Sequence, residues 1–140
     1  MACGCADGTT VWPMVIFKGA KEGQDWWKSN VARCTFAHSP NGWTDNELML
    51  WWLEHNFDAD THDKANDRCR VLLLDGHRSH LTLELILYAW AANITILCYP
   101  PHTTHILQGL DVVSCTQLKQ MYSQEVKAFE ECTGWAVGEG

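Results

Sequence analysis

Two short stretches of this chain hold the residues best suited to chemistry. Val71-Leu72-Leu73-Leu74-Asp75-Gly76-His77-Arg78-Ser79-His80 carries an apolar run onto an aspartate. Pro100-Pro101-His102-Thr103-Thr104-His105-Ile106-Leu107-Gln108-Gly109-Leu110-Asp111 reaches a second aspartate through a segment rich in histidine and proline. Two carboxylates brought to one rim of a sheet could hold a hard divalent cation and support phosphoryl chemistry. His102, His105 and Gln108 would lie on the intervening loop, close to the same place. A plainer alternative stays open on spacing alone. An aspartate after a strand is often a helix N-cap, and Asp111 at a helix start would complement the helix dipole. No third carboxylate stands where it would complete the set.

The elements that must position these residues can be read from periodicity and turn chemistry. Met1–Ala6 could end a strand, and Asp7-Gly8 is a hairpin turn signal because glycine accepts positive φ. Val11–Phe17 reads as a strand interrupted by Pro13, which places it at a sheet edge. Gly19–Pro40 reads as loop. Thr44-Asp45-Asn46-Glu47 is a capping box, with Thr44 as the N-cap of a helix that ends near Phe57. The polar run Asp58–Arg68 reads as a surface loop. Arg70–Asp75 and Ile94–Cys98 are short apolar runs suited to parallel strands buried on both faces. Between them, Ser79 could cap a helix over His80–Ala92. That helix is apolar nearly all round, with Leu81, Leu85 and Tyr88 on one face and Leu83, Ile86, Leu87 and Trp90 on another. Such a helix is either deeply buried or covered by a partner. A last helix spans about Leu110–Glu131, with Cys115, Leu118, Tyr122, Val126 and Phe129 as its inner stripe, and 133–140 form a loose tail. In an open parallel sheet, ligands bind beyond the carboxyl ends of strands, which is where Asp75 would sit.

Composition narrows the function classes. The 140 residues are 46% hydrophobic with eight tryptophans, enough for one domain with a core. The net charge of -7, without a Lys/Arg cluster, excludes non-specific phosphate binding driven by overall charge. Seven cysteines form no C-x-x-C pair, which points to free, mostly buried thiols, Cys69 and Cys98 among them, in a reducing compartment. No signal peptide opens the chain and no apolar run suits a membrane span.

The segments resemble the transposase domain of the mariner/pogo superfamily, the DDE superfamily endonuclease domain. In that family one acidic residue lies in a strand-D-x-x-x-S-H segment, matched by Leu74-Asp75-Gly76-His77-Arg78-Ser79-His80. Another lies in a P-P-H-x-T-H-x-x-Q-P-L-D segment, matched by Pro100–Asp111 with Gly109 in place of the last proline. Ala6-Asp7-Gly8-Thr9 followed by Pro13-Met14-Val15-Ile16-Phe17-Lys18-Gly19 is similar to the family's second and third strands.

The resemblance implies an α/β fold, a ribonuclease H-like mixed sheet with flanking helices, over residues 1–132. It implies Asp75 and Asp111 as catalytic and metal-binding acids, and His80, His102, His105 and Gln108 as groups that position their loops. It also implies Mg2+ or Mn2+ as cofactor, DNA as partner and the nucleus as location. The family's first acid lies on a central first strand upstream of the segment matched here, and Asp7 does not match it. The expectation is therefore a partial domain lacking that strand. It would bind metal weakly, have little strand-cleaving activity alone, and self-associate through unpaired sheet edges. Two other readings compete: a non-catalytic interaction protein that uses the apolar helix, and a zinc module built on His77, His80, His102 and His105.

Overall fold

The computed structural model describes residues 1–19, 28, 30–75, 81–99 and 116–134. The chain divides into two compact units, Met1–Tyr99 and Pro100–Gly140.

In the first unit, β1 (Cys3–Gly4) and β2 (Thr10–Val11) make the antiparallel hairpin that Asp7-Gly8 signals. Gly8 takes φ +84°, and the Asp7 carboxylate accepts from the Thr9 amide and hydroxyl at 2.9 and 2.6 Å. β3 (Met14–Lys18) is a separate strand rather than a continuation of β2, since Trp12 and Pro13 break the run. Its partner is β4 (Thr35–Ser39), parallel and in register from Met14↔Thr35 to Lys18↔Ser39. A loop was expected over this second strand. Its inward positions are the small Ala37 and Ser39, so it lacks the large apolar alternation that marks most strands.

The helix that follows starts one residue later than the capping box suggests and runs farther. Asp45 is the N-cap of α1 (Asn46–Trp52), accepting from the Leu48 amide at 2.8 Å. A π-helical segment, Leu53–Asp58, leads directly into α2 (Ala59–Ala65). The polar stretch expected as a loop from Asp58 is thus helical to Ala65, and Asn66 stops it in the left-handed region at φ 48°. Helix persists because its inner face persists: Leu53, Asn56, Phe57 and Thr61 are all buried. Asn56 fastens this face to the strands, donating through Nδ2 to the Trp12 carbonyl and the Thr35 hydroxyl at 2.9 Å each.

β5 (Arg70–Leu74), α3 (Leu83–Ala91) and β6 (Ile94–Cys98) form the expected strand–helix–strand unit, the strands parallel from Arg70↔Ile94 to Leu74↔Cys98. Thr82 caps α3, accepting from the Leu85 amide at 3.2 Å, while Ser79 lies outside the described residues. The strands are not buried on both faces. Arg70, Leu72 and Ile94 face the core, whereas Val71, Leu73 and Leu97 are exposed. Cys69 and Cys98 are likewise exposed rather than buried, and the described cysteines are free. Among the described residues the strands make three two-stranded sheets within a mixed α/β arrangement. In the second unit, α4 (Thr116–Thr133) exposes Leu118, Tyr122 and Phe129, which the sequence pattern placed inward.

One charged cluster joins the layers of the first unit. Arg70, at the start of β5, is 9% exposed and pairs with the Asp58 carboxylate. Its guanidinium also donates to the Ala92 carbonyl at 2.5 Å and the Thr61 hydroxyl at 3.2 Å. The Tyr88 hydroxyl of α3 donates to the other Asp58 oxygen at 2.7 Å. Burial tends to raise the Asp58 pKa, but the Tyr88 and Arg70 contacts outweigh it and hold the carboxyl below its ordinary range. Burial, then the neighbouring Asp58 carboxylate, pushes Tyr88 up to about 12.

Two outcomes follow. Arg70→Met leaves the Asp58 charge without its cation and should cost about 3 kcal/mol in urea unfolding; a loss below about 1 kcal/mol would show the pair to be dispensable. The cluster's stabilisation should be complete between two pH limits. Asp58 has a depressed folded pKa, so its share is present above about pH 4 and lost as pH falls through the folded value. Tyr88 has a raised folded pKa, so its share is intact below pH 10.0 and lost as pH climbs toward about 12. Urea midpoints across this range should show a smaller alkaline loss in Tyr88→Phe than in the unsubstituted chain, the loss that remains including that of Cys3, whose thiol is pushed up to about 11.

Candidate active site

β5 positions the first candidate acid by simple continuation. Its five residues alternate between the core and the open face, and Asp75 is the first residue past its end. The carboxylate is exposed, as a group that meets an ion from solvent must be. The pairing of β5 with β6 extends one step beyond the strand ends, where the Tyr99 amide donates to the Leu74 carbonyl at 3.0 Å. The chain after Asp75 and the chain after Tyr99 therefore depart from the same end of one parallel pair, from strands about 5 Å apart. This is the carboxyl-end geometry in which open parallel sheets bind ligands.

Of the six residues singled out by sequence, the structure describes Asp75 alone. Asp111, His80, His102, His105 and Gln108 lie outside the described residues, as do Gly76 and His77. Among the described residues no group of three or more His, Cys, Asp or Glu side chains could hold a metal ion. Asp75 alone offers one carboxylate, and a hard cation takes six or more oxygen ligands, most of which must come from elsewhere.

The other carboxylates near the strands are already engaged. Asp7 is tied to Thr9, whose hydrogen bonds hold its carboxyl below the usual range, with Lys64 3.9 Å away. Asp58 belongs to the Arg70–Tyr88 cluster, and Asp60 accepts from the Trp12 amide at 2.8 Å. The Cys3 thiol is no alternative nucleophile, since burial and then Cys5 push it up to about 11. A cavity of about 270 Å3 lined by His62, Arg68, Arg70 and Asn93 lies at the opposite end of β5 from Asp75. It belongs to the structural cluster, not to the candidate acid. The feature that sequence reasoning missed is this Asp58–Arg70–Tyr88 cluster. The signal available was a lone arginine opening an otherwise apolar strand, since a charge at such a position must have a partner.

Comparison with known proteins agrees with the motif reading. No solved structure matches the chain. A curated relative from Cochliobolus lunatus, named MFS-type transporter clz9, is 40% identical over 124 residues, which are 88% of this chain and 13% of that protein. The chain thus spans a small part of that relative, and no described helix here is long and apolar enough to cross a membrane. The family profile described as DDE superfamily endonuclease matches residues 1–129. With that match over nearly its whole length, and Asp75 at the carboxyl end of a parallel strand, the chain belongs to the DDE superfamily endonuclease family.

Proposed function

We propose that this chain is a segment of a transposon-derived nuclease domain in which Asp75 and Asp111 share a divalent cation, Mg2+ or Mn2+, and that alone it does not cut DNA. The observation that carries this reading is the exposed Asp75 carboxylate at the carboxyl end of β5, beside the parallel strand β6. Family membership supports DNA as the substrate and the nucleus as the place of action. His80, His102, His105 and Gln108 orient the loops that bear the two acids.

Within this reading the sheet is ribonuclease H-like over residues 1–132. Among the described residues β5 pairs with β6, and this reading sets the strand that carries the first acid in such sheets along its other edge. A two-ion centre needs a carboxylate shared between its ions, one activating the attacking oxygen and the other stabilising the leaving oxygen. The two motifs supply Asp75 and Asp111, which would together hold one hard cation, and with these two acids alone it would be held weakly.

The test is purified chain with labelled duplex DNA and Mg2+ or Mn2+. No nicking above background is expected, whether position 75 is aspartate or, in Asp75→Ala, alanine. Metal-dependent nicking that disappears in Asp75→Ala would refute the inactive reading while upholding the site. Metal-dependent nicking that survives both Asp75→Ala and Asp111→Ala would refute the site.

A further inference from the structure

The ladder between β5 and β6 brings one more side chain to the end where Asp75 stands. Leu73 and Leu97 are register partners, and both are exposed on the face turned away from the core. Two residues farther on, the strand period of two assigns Asp75 and Tyr99 to that same face. The pairing still holds at this point, because the Tyr99 amide donates to the Leu74 carbonyl at 3.0 Å. Asp75 and Tyr99 are therefore cross-strand neighbours, on backbones about 5 Å apart. Asp75 is exposed and Tyr99 is half-buried.

We propose that Tyr99 belongs to the site of Asp75 and donates its hydroxyl to a non-bridging oxygen of a DNA phosphodiester. The inference rests on the reading of Asp75 as a cation ligand and adds to it a residue that touches the substrate.

A tyrosine has the chemistry this position calls for. The chain carries a charge of -7, so an anionic substrate gains nothing from the overall field and needs local donors. A lysine or arginine beside Asp75 would pair with its carboxylate and compete with a cation for it. A phenol hydroxyl stays neutral up to about pH 10 and donates a hydrogen bond without adding a competing charge. The two tyrosines of the first unit differ in what they already do. Tyr88 donates to Asp58 at 2.7 Å and is held in the structural cluster. Tyr99 makes no hydrogen bond to Asp75, and among the described residues its hydroxyl has no other partner. A tyrosine side chain is also longer than an aspartate's, so from a neighbouring backbone position it can meet a group that approaches the carboxylate from solvent.

Labelled duplex DNA titrated with the full chain, with and without Mn2+, tests the proposal. Tyr99→Phe keeps the ring and removes the hydroxyl, so it should weaken the Mn2+-dependent binding about tenfold, the effect of losing one hydrogen bond to a charged oxygen. A ring that merely packs the strand end would be replaced by phenylalanine without loss. Broadening of the Asp75 amide by substoichiometric Mn2+ should be equal in the two chains, which shows the variant to be folded and Tyr99 to be no cation ligand. In the unsubstituted chain, the Tyr99 ring resonances should shift when DNA is added in Mg2+ and stay fixed with Mg2+ alone. Equal Mn2+-dependent affinity in both chains, or a Tyr99 ring unmoved by DNA, overturns the role of Tyr99 while Asp75 stands as a cation ligand. Mn2+ held at Asp75 with no DNA bound does the same. An Asp75 amide that Mn2+ leaves sharp in the unsubstituted chain overturns the reading of the site and this inference with it.

Discussion

The first unit depends on how one buried cation is accommodated. Arg70 opens β5 from inside the core, where an unpaired guanidinium would be prohibitive. Asp58 answers it from the helix before the strand, Ala92 from the turn after α3, and Tyr88 completes the Asp58 carboxylate from α3 itself. Three elements distant in sequence therefore meet at one point, and each can do so in only one register. A pair of this kind adds little net stability over a well-packed apolar substitute, but breaking it is costly, so its effect is to specify one arrangement. The π-helical segment belongs to the same constraint. It ends at Asp58 and keeps Asn56, Phe57 and Thr61 on the buried side as the helix passes the strand layer. The start of β5 is pinned by these contacts, and five residues later the strand delivers Asp75 to solvent.

Much of the parallel unit was legible in the sequence, because its signals are local and strong. Two short apolar runs on either side of an apolar helical segment give a strand–helix–strand unit with few alternatives, and Asp7-Gly8 leaves the hairpin turn little choice. The errors fall where burial is carried by polar or small residues. β4 hides because Thr35, Ala37 and Ser39 make an inconspicuous strand, and its pairing is set by β3 rather than by its own composition. The helix was cut short at Asp58 because Asp58 and Thr61 look solvent-seeking, yet both turn inward to Arg70. Thr44 was read as the cap because Glu47, three residues on, completes a capping box, whereas Asp45 caps without one, through its own side chain on the Leu48 amide. Two-sided burial of β5 and β6 failed for a different reason. Val71, Leu73 and Leu97 are as apolar as buried residues, and composition cannot say whether a second layer covers them.

The candidate site rests on its motifs, and of their six residues the structure describes Asp75 alone, exposed past the end of β5. An aspartate directly after a buried strand inherits the strand's rigidity without its burial, which a cation ligand requires. Beside it, β6 runs parallel to β5 and ends at the same edge, where the Tyr99 amide donates to the Leu74 carbonyl. Family membership rests on a match that spans residues 1–129, and the C. lunatus relative aligns over 124 residues within a much longer protein. The transporter in that relative's name describes that protein and has no counterpart among the described helices of this chain.

The central claim is that Asp75 and Asp111 face one cation. Paramagnetic broadening by substoichiometric Mn2+, followed on backbone amide resonances, measures this directly. The amides flanking both aspartates should broaden together at the lowest Mn2+ concentrations, and Asp75→Asn should abolish the effect at both. Broadening that begins at carboxylates elsewhere, or at Asp111 undisturbed by Asp75→Asn, would contradict it.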